Sequence, residues 1–581
     1  MNSLKISMLA ASVAVFTSTA TLAQSYTIQA VPTPESVKDL FGADINDQGM
    51  LTMQARVPRN AEFDFSLIPT NILLANQIPE DFDPETDTLT LSQYYNMLYR
   101  FEDRVNNDSR SLRLALNFAA YYDGQNVQLP ALLNTEGNGA SSQTNSADHS
   151  FLGLNQNNIR VGTASAPYDR YIHEYTPEPE EGEEPETLEI NYAIREFTSR
   201  GLWFNGENYV LIEPEEQAIL GGEAALFDIN ETNLAAGFMS TSLNPRGADR
   251  VETCTSVEEG VERVIPEYNC VWNAWHSFQG EIASNLGTRG GALRKNGSIY
   301  DMSATIWQLD EQGAVIDYQT FPPLAERLED DEEELSTYAY AINNNGIAVG
   351  QGWTYWGEEP TVNTRVKLPT VYVDGETIPV TTDVDYIWGS ASDINDDNNA
   401  IGFVMKTYAG IRRAVPFQFD VDAREFSVLP TFFEGSSTYP NAINNAGLVV
   451  GSAEIDSVLN GPRRRVGFLY NPNNPEQGLI NLNDAVGCDA TYFIVSADDI
   501  NENNQIVATA IRENQISNEE GVTFDEQVAV TLILDESDGE ITNCTDEENI
   551  VERQGAATSP VTLFAMLLIG GLITLRRKIR L

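Results

Sequence analysis

A short phrase that pairs an aliphatic residue with asparagine recurs seven times along this chain. A polar turn with a glycine or asparagine follows the pair, and then an apolar stretch that usually ends in glycine seven residues after the asparagine. The seven asparagines are Asn46, Asn155, Asn230, Asn343, Asn395, Asn444 and Asn501. Repetition on this scale indicates an array of small supersecondary units, such as a propeller or a solenoid.

Residues 341–350 (Ala-Ile-Asn-Asn-Asn-Gly-Ile-Ala-Val-Gly) show the turn at the centre of each phrase. An apolar entry, a polar turn and a β-prone exit predict a tight hairpin with one left-handed residue, a conformation that glycine and asparagine tolerate best. Gly346 and Gly447 hold this place in two copies. An asparagine can bond its own backbone two residues on. We therefore assign the seven asparagines a structural role in the turn, with ligand binding as the alternative.

A second element, an aromatic-rich strand followed by a polar turn and another strand, also occurs seven times. Its copies are residues 118–129, 202–212, 305–316, 371–380, 417–429, 468–480 and 530–541. Six copies are each followed by an asparagine motif, whereas the last copy has none after it and the motif at Asn46 has no copy before it. Joining the two ends completes a seventh unit, which a ring needs to protect its edges and an open solenoid does not.

We therefore predict an all-β fold, a seven-bladed β-propeller over residues 24–552, closed by pairing between N- and C-terminal strands. The expected contact joins the Asn46 hairpin to strands within residues 530–541. Several motifs lie about fifty residues apart, which suits four strands per blade. The longer intervals hold insertions, among them acidic loops at residues 177–189 and 329–334. The first of these lacks apolar residues to bury and is predicted to be disordered.

Both ends of the chain carry apolar segments. Residues 1–23 have the small, apolar run and the Ala23 cleavage site of a secretory signal peptide. Within residues 553–581, an apolar run from Val561 to Leu575 precedes four basic residues, which predicts a membrane anchor with its basic tail on the cytoplasmic side. The same layout resembles bacterial Gly-Gly sorting signals, although Gly570-Gly571 lies inside the apolar run. Removal of the segment by proteolysis is the alternative to anchoring.

The phrases at residues 341–350 and 441–451, with companions such as Val466-Gly467-Phe468-Leu469-Tyr470, resemble the HAF-type extracellular repeat of bacterial secreted proteins. The likeness spans residues 40–545. Together with the signal peptide and the sorting-like tail, it is similar to an uncharacterised family of envelope proteins. The resemblance implies an exported location and a repeat type, and it implies no catalytic residues.

Composition agrees with an exported protein. The formal net charge of −52 repels nucleic acid and anionic lipid, so a nucleic-acid partner is excluded. In an oxidising compartment the four cysteines should pair. Cys254 and Cys270 lie sixteen residues apart in one insertion and are natural partners, which leaves Cys488 with Cys544.

Motifs for chemistry are scarce. The three histidines lie in different segments without the spacing of a zinc hydrolase, so no metal site is assigned. Calcium is the one cofactor alternative, because five oxygen-bearing residues crowd a single turn. These are Asp393, Asn395, Asp396, Asp397 and Asn398. Tryptophans at 272, 275, 353 and 356 could stack on sugars, or belong to the blade cores as aromatic residues more often do.

Two functions from different classes remain. The first is a non-enzymatic envelope propeller that binds a protein or a glycan. The second is an envelope carbohydrate hydrolase or lyase with carboxylates at the propeller channel, and the fold alone does not distinguish them. The missing metal and nucleophile motifs favour the binding module.

Overall fold

The computed structural model describes residues 25–544 apart from internal gaps. The gaps are residues 60, 62, 64, 66–69, 80, 84–85, 103–113, 134–145, 178–183, 257–262, 280–296, 358, 459–462, 490, 518–522, 540 and 543. The predicted signal peptide and the run from Val561 to Leu575 lie outside the described residues. Among the helices that are described, none is long and apolar enough to cross a bilayer.

Seven four-stranded antiparallel sheets form the blades of a propeller. Blade 1 contains β2 (Val37–Ile45), β3 (Leu51–Pro58), β4 (Asn117–Tyr122) and β5 (Val127–Gln128). Blade 2 contains β6 (His149–Leu154), β7 (Arg160–Ala164), β10 (Arg200–Phe204) and β11 (Tyr209–Ile212). Blade 3 contains β12 (Ala224–Ile229), β13 (Leu234–Leu243), β14 (Tyr300–Leu309) and β15 (Val315–Thr320). Blade 4 contains β16 (Thr337–Ile342), β17 (Ala348–Tyr355), β18 (Arg365–Val373) and β19 (Glu376–Pro379).

The remaining blades come from the C-terminal half and one N-terminal strand. Blade 5 contains β20 (Gly389–Ile394), β21 (Asn399–Tyr408), β22 (Ile411–Asp420) and β23 (Glu425–Val428). Blade 6 contains β24 (Thr438–Ile443), β25 (Val449–Glu454), β26 (Arg465–Tyr470) and β27 (Leu479–Asn481). Blade 7 contains β28 (Phe493–Ile500), β29 (Ile506–Ser517), β30 (Thr523–Ser537) and β1 (Ser25–Ala30). The first strands of successive blades contact one another around the whole ring, so they are the inner strands.

The propeller is closed by β1 together with C-terminal strands, as predicted, but the closing strand differs in detail. β1 pairs antiparallel with β30, with Ile28 opposite Leu534. The expected partner, the Asn46 hairpin, instead forms the first two strands of blade 1, β2 and β3. Residues 530–541 also do not form a hairpin, because Val530 to Ser537 continue the single strand β30 between β29 and β1. A strand paired on both sides has no need of a following hairpin to complete its sheet.

Insertions interrupt the first three blades. Helices α1 (Thr70–Ala75) and α2 (Leu91–Glu102) lie between β3 and β4. A two-stranded ribbon of β8 (Asp169–Tyr175) and β9 (Leu188–Ile194) is inserted in blade 2. In blade 3, α3 (Pro245–Thr255) and α4 (Glu267–Gln279) are joined by the disulfide Cys254–Cys270, with a Cα–Cα distance of 5.6 Å. Cys488, beyond the short helix α5 (Leu482–Ala485) of blade 6, and Cys544 are likewise disulfide-bonded.

The two acidic runs behave differently. The first straddles the tip of the β8–β9 ribbon, and its residues 178–183 lie in a gap of the description. The second is not a solvated loop, because two of its carboxylates are buried and paired. Asp331 lies 2.9 Å from a guanidinium nitrogen of Arg365, and Glu334 accepts hydrogen bonds from Ser336 and from the hydroxyl of Tyr338. Buried charges of this kind are retained only with such partners.

The core lies between the faces of neighbouring blades. Val450 and Leu469 of blade 6, for example, belong to one buried cluster with Ile506 and Leu532 of blade 7. Alternation along each strand places one apolar face towards each neighbouring blade. Each blade is therefore stabilised by its neighbours, and the ring must close for every face to be covered.

Candidate functional site

Each asparagine motif forms the same turn between the first and second strands of its blade. In blade 4 the Gly346 amide donates to the Asn343 carbonyl at 3.1 Å, and the Asn343 amide donates to the Ile347 carbonyl at 3.1 Å. Gly346 has φ of 78°, and Asn398 takes the equivalent place in blade 5 with φ of 58°. This left-handed position explains why only glycine or asparagine occurs there.

The asparagine side chains form a closed ring of hydrogen bonds around the propeller axis. Each side-chain amide donates to the backbone carbonyl of the motif asparagine in the next blade, over 2.9–3.3 Å. The donor–acceptor order is Asn46, Asn155, Asn230, Asn343, Asn395, Asn444, Asn501 and again Asn46. Each Oδ1 meanwhile accepts backbone amides of its own turn. The asparagine is thus both the cap of its turn and the link to the next blade, and an ionised aspartate, which has no donor, cannot replace it in the second role.

A second ring lies beside the first. The residue after each motif asparagine always carries a side-chain carbonyl or carboxylate oxygen, and this oxygen accepts the backbone amide of the corresponding residue in the preceding blade. The seven residues are Asp47, Gln156, Glu231, Asn344, Asp396, Asn445 and Glu502. Partial burial and the neighbouring carboxylates raise the pKa of Glu231 and of Glu502.

Every inner strand contains a β-bulge three residues before its motif asparagine, where the register with the second strand shifts. A bulge turns one side chain away from the regular alternation and is a common device next to binding sites. The bulge residues of the seven blades are Ala43, Leu152, Phe227, Tyr340, Ser392, Asn441 and Asp498. They vary from apolar to charged while the surrounding motif repeats.

These bulges divide the centre of the ring into two unlike halves. In blades 3 and 4, Phe227 and Tyr340 pack edge to face with ring centroids 5.1 Å apart and are fully buried with Phe238 and Tyr338. In the other half, a cavity of about 680 Å³ is lined mainly by residues of blades 1, 5, 6 and 7, together with Leu152 of blade 2 and Gln351 of blade 4. We designate this the central cavity.

The wall of the central cavity combines aromatic faces with amide and hydroxyl groups. Trp388, Phe403 and Tyr439 supply the aromatic surface, and the last two are in edge-to-face contact at 4.9 Å. The polar groups belong to Gln54, Gln351, Ser392, Asn441, Ser452, Ser496 and Thr509. Pockets that hold small polar molecules show this mixture of apolar wall and few oriented polar groups.

Asp498, the bulge residue of blade 7, is the carboxylate that lines the cavity. Thr509 Oγ1 donates to its Oδ2 at 2.5 Å, and the backbone amide of Gly42 in blade 1 donates to the same Thr509 oxygen at 3.3 Å. Burial raises the pKa of Asp498 to about 6, against the hydrogen bonds that lower it. The group is therefore positioned at the seam between the first and last blades, and it changes charge close to neutral pH.

Gln54 brings an unsatisfied acceptor to the same cavity. Its side chain is 2% exposed, and Nε2 donates to Ser150 Oγ at 2.8 Å. Its Oε1 has no hydrogen-bond partner among the described residues. A buried amide oxygen without a donor is unfavourable by about 1–3 kcal/mol, and because this atom is shielded from solvent, the Gln54 side chain would have to rotate before a bound molecule could donate to it.

The residues singled out from the sequence lie elsewhere. The motif asparagines form the first ring, and Gly346 and Gly447 lie in its turns. None of these residues lines the cavity. In the turn considered for calcium, Asp396 already accepts hydrogen bonds from Asn344 and Asn445, and Asp393 accepts the Ile443 amide. These oxygens therefore serve the turn and the contacts between blades.

The histidines and early tryptophan candidates are not brought together. His149 is buried and accepts the Ala119 amide at 2.8 Å, and burial lowers its pKa to about 4. His173 lies in the β8–β9 ribbon, and His276 stacks on Trp272 at 5.0 Å in the helical insertion. Trp275 and Trp353 are core residues, whereas Trp356 is 39% exposed away from the cavity wall.

Asp498, Gln54 and Trp388 were not predicted from the sequence. A usable signal existed for the first of them, since it lies three residues before a motif asparagine, where the other copies carry unrelated side chains. No comparable signal marks Gln54 or Trp388.

The closed ring of seven blades and the lined cavity at its centre define a β-propeller with a candidate ligand site on its axis. The chain belongs to the family described as "Protein of unknown function (DUF3466)", whose model matches residues 3–578. This uncharacterised family is not a named family of HAF repeats, so the resemblance inferred from the motifs holds at the level of an uncharacterised family. No curated protein shows significant similarity to the chain.

Proposed function

We propose that the protein is a non-enzymatic binding module of the bacterial envelope, and that its central cavity binds a carbohydrate. The observation that carries this proposal is the wall of the cavity, which combines Trp388 and Tyr439 with amide and hydroxyl side chains. Aromatic faces pack against the C–H faces of sugar rings, while side-chain amides and a carboxylate pair with hydroxyl groups. The volume of about 680 Å³ lies within the usual range of small-molecule pockets.

The second candidate is a carbohydrate hydrolase or lyase that acts in the same cavity. The raised pKa of Asp498, about 6, is the observation in its favour, because such a carboxylate can exchange protons near neutral pH. Glycoside hydrolysis, however, commonly uses two carboxyl groups about 5–9.5 Å apart across the bond. Asp498 is the one carboxylate on the described wall of the cavity, which favours binding over hydrolysis.

The proposed location follows from the cysteines and from the ends of the chain. Disulfides persist in extracytoplasmic compartments, and the structure contains two of them. We propose that the chain is exported and held at a bacterial membrane by the apolar run from Val561 to Leu575. Cell fractionation and mass spectrometry of the mature C-terminus test this proposal. A membrane-free protein that retains its C-terminal peptide contradicts the anchor, and a mature chain ending near Ala557 indicates a removed sorting signal.

A glycan array probed with the purified protein tests the binding function. Calorimetry with the best array ligand should then show that Trp388→Ala lowers affinity at least about tenfold. Trp356→Ala is the matched control, because that indole is exposed outside the cavity and donates only to the Val384 carbonyl. Equal affinity of both variants would remove the cavity from the proposal. Turnover of the ligand by the wild type, lost in Asp498→Asn, would instead support the enzyme.

A further inference from the structure

We infer that the ligand of the central cavity is an acidic sugar whose anionic group is bound by Arg412 and Arg465 at the rim. This inference rests on the proposed carbohydrate-binding function and specifies its ligand class. Both arginines line the cavity and are exposed. Arg412 belongs to β22 of blade 5, and Arg465 begins β26 of blade 6.

The two rim arginines lack the carboxylate partners that their neighbours have. Lys406 pairs with Asp385 at 3.3 Å, and Arg464 pairs with Asp456 at 3.0 Å. Arg463 pairs with Glu454 at 2.8 Å, and Arg413 pairs with the same carboxylate at 3.5 Å. In the described part of the chain, no ion pair involves Arg412 or Arg465.

This absence is informative because acidic groups are in large excess. The chain has 86 aspartates and glutamates against 34 lysines and arginines. The one lysine and three arginines nearby each have a carboxylate partner. Two unpaired guanidinium groups at the mouth of one cavity therefore provide a local positive site in a negative surface, which concentrates anions there.

The geometry of Arg465 prepares it for an anion. Its guanidinium carbon lies 4.5 Å from the centroid of the Tyr439 ring, and Phe403 supports that ring from the side. A guanidinium stacked on an aromatic ring keeps its in-plane N–H groups available, and these match the two oxygens of a carboxylate. Tyr439 can thus position Arg465 and present aromatic surface to a sugar ring.

Arg412 is carried by a hairpin that continues beyond the neighbouring strands. β21 and β22 pair as far as Tyr408 and Ile411, and Ala409 and Gly410 form their turn with φ of 50° and 83°. This extension places Arg412 at the rim, whereas Asp498 lies at the bulge of blade 7. The charges of the cavity are therefore arranged with cations at the mouth and the carboxylate on the inner wall.

This arrangement predicts the orientation of the sugar. The anionic substituent contacts the two arginines, and the ring lies against Trp388 and Tyr439. The hydroxyl groups at the other end donate to Asp498, which lines the inner wall. A ligand in the opposite orientation would place its anion beside Asp498, which is unfavourable when both are ionised.

Calorimetry on the full-length protein tests the inference with three matched oligosaccharides: a uronic-acid oligomer, its methyl ester and a sulfated oligomer of neutral sugars. We expect the uronic-acid oligomer to bind at least tenfold more tightly than its ester and to weaken as salt increases. Arg412→Gln and Arg465→Gln should each lower its affinity about tenfold. Arg464→Gln is the control, because that arginine is adjacent and already paired with Asp456. Circular dichroism verifies that the variants are folded.

The outcomes separate the inference from the function on which it rests. Equal binding of the uronic acid and its ester, unchanged in both rim variants, overturns the anionic ligand and leaves the carbohydrate site intact. Preference for the sulfated oligomer, lost in Arg412→Gln, supports the inference with sulfate as the anion. Binding of no sugar, charged or neutral, overturns the proposed function and the inference together.

Discussion

Replacement of Asn343 by alanine removes one member of the asparagine ring, and its cost can be worked out from the contacts. Its Oδ1 accepts the amides of Asn345 and Ile347 at 3.1 and 3.0 Å, and its Nδ2 donates to the Asn395 carbonyl and Asn398 Oδ1 at 2.9 Å each. Each bond contributes about 1 kcal/mol net, and an unsatisfied buried amide costs about 1–3 kcal/mol. Ile347 is 8% exposed. The free energy of unfolding should therefore fall by about 3–5 kcal/mol.

Asn205→Ala is the matched control for this prediction. Asn205 lies in the exposed turn between β10 and β11 and caps the amides of Glu207 and Asn208 in the same way, at 3.0 and 2.8 Å. Among the described residues it bonds to no other blade, and its loss should cost only about 0.5–1 kcal/mol. Urea unfolding followed by tryptophan fluorescence gives both values.

Asn343→Asp distinguishes the turn from the link between blades. Aspartate keeps the acceptor for the two turn amides but turns an oxygen towards the Asn395 carbonyl, where the amide donor was. We expect it to destabilise at least as much as alanine. Equal losses of stability in Asn343→Ala and Asn205→Ala would show that the asparagine ring adds nothing to the local turns. Wild-type stability of Asn343→Asp would show that the bond to the next blade is dispensable.

Three further predictions follow from the same structure. Gly350→Ala should prevent correct folding or lower the melting temperature strongly, because a Cβ would lie 1.9 Å from the Tyr338 carbonyl oxygen, and a wild-type melting curve would contradict this. Burial raises the pKa of Asp498 from 3.8 to about 6, so its protonation stabilises the fold below pH 4 and this stabilisation is lost as pH rises through 6. Asp498→Asn should therefore increase the free energy of unfolding by about 1–3 kcal/mol at pH 7 and by little at pH 4, and a pH-independent difference would refute it. Deletion of residues 24–56 removes β1, β2 and most of β3 and should abolish cooperative unfolding, because β30 and β4 then present open edges; an unchanged transition would show that closure is dispensable.

The blade count and ring closure could be predicted because they depend on chemistry that repeats locally. Each turn needs an asparagine that caps it and a left-handed residue three positions later, and both are visible in any single copy such as Asn444 and Gly447. The offset between motifs and companion strands then required the two ends to meet. The identity of the closing strand was missed because β1 carries no motif, and its place is decided by the exposed edge of β30.

The repeats alone therefore specify a seven-bladed ring and its turn residues, and the composition predicts an acidic chain with paired cysteines. The place where a ligand could bind depends on the tertiary fold. Asp498 is one of 86 acidic residues, and the local signal that distinguishes it is its place three residues before Asn501. It shares the cavity wall with Gln54, more than 400 residues away in sequence, because blade 7 meets blade 1 when the ring closes. Turns are specified by neighbours along the chain, whereas a cavity at the axis is specified by side chains that become neighbours only when the ring closes.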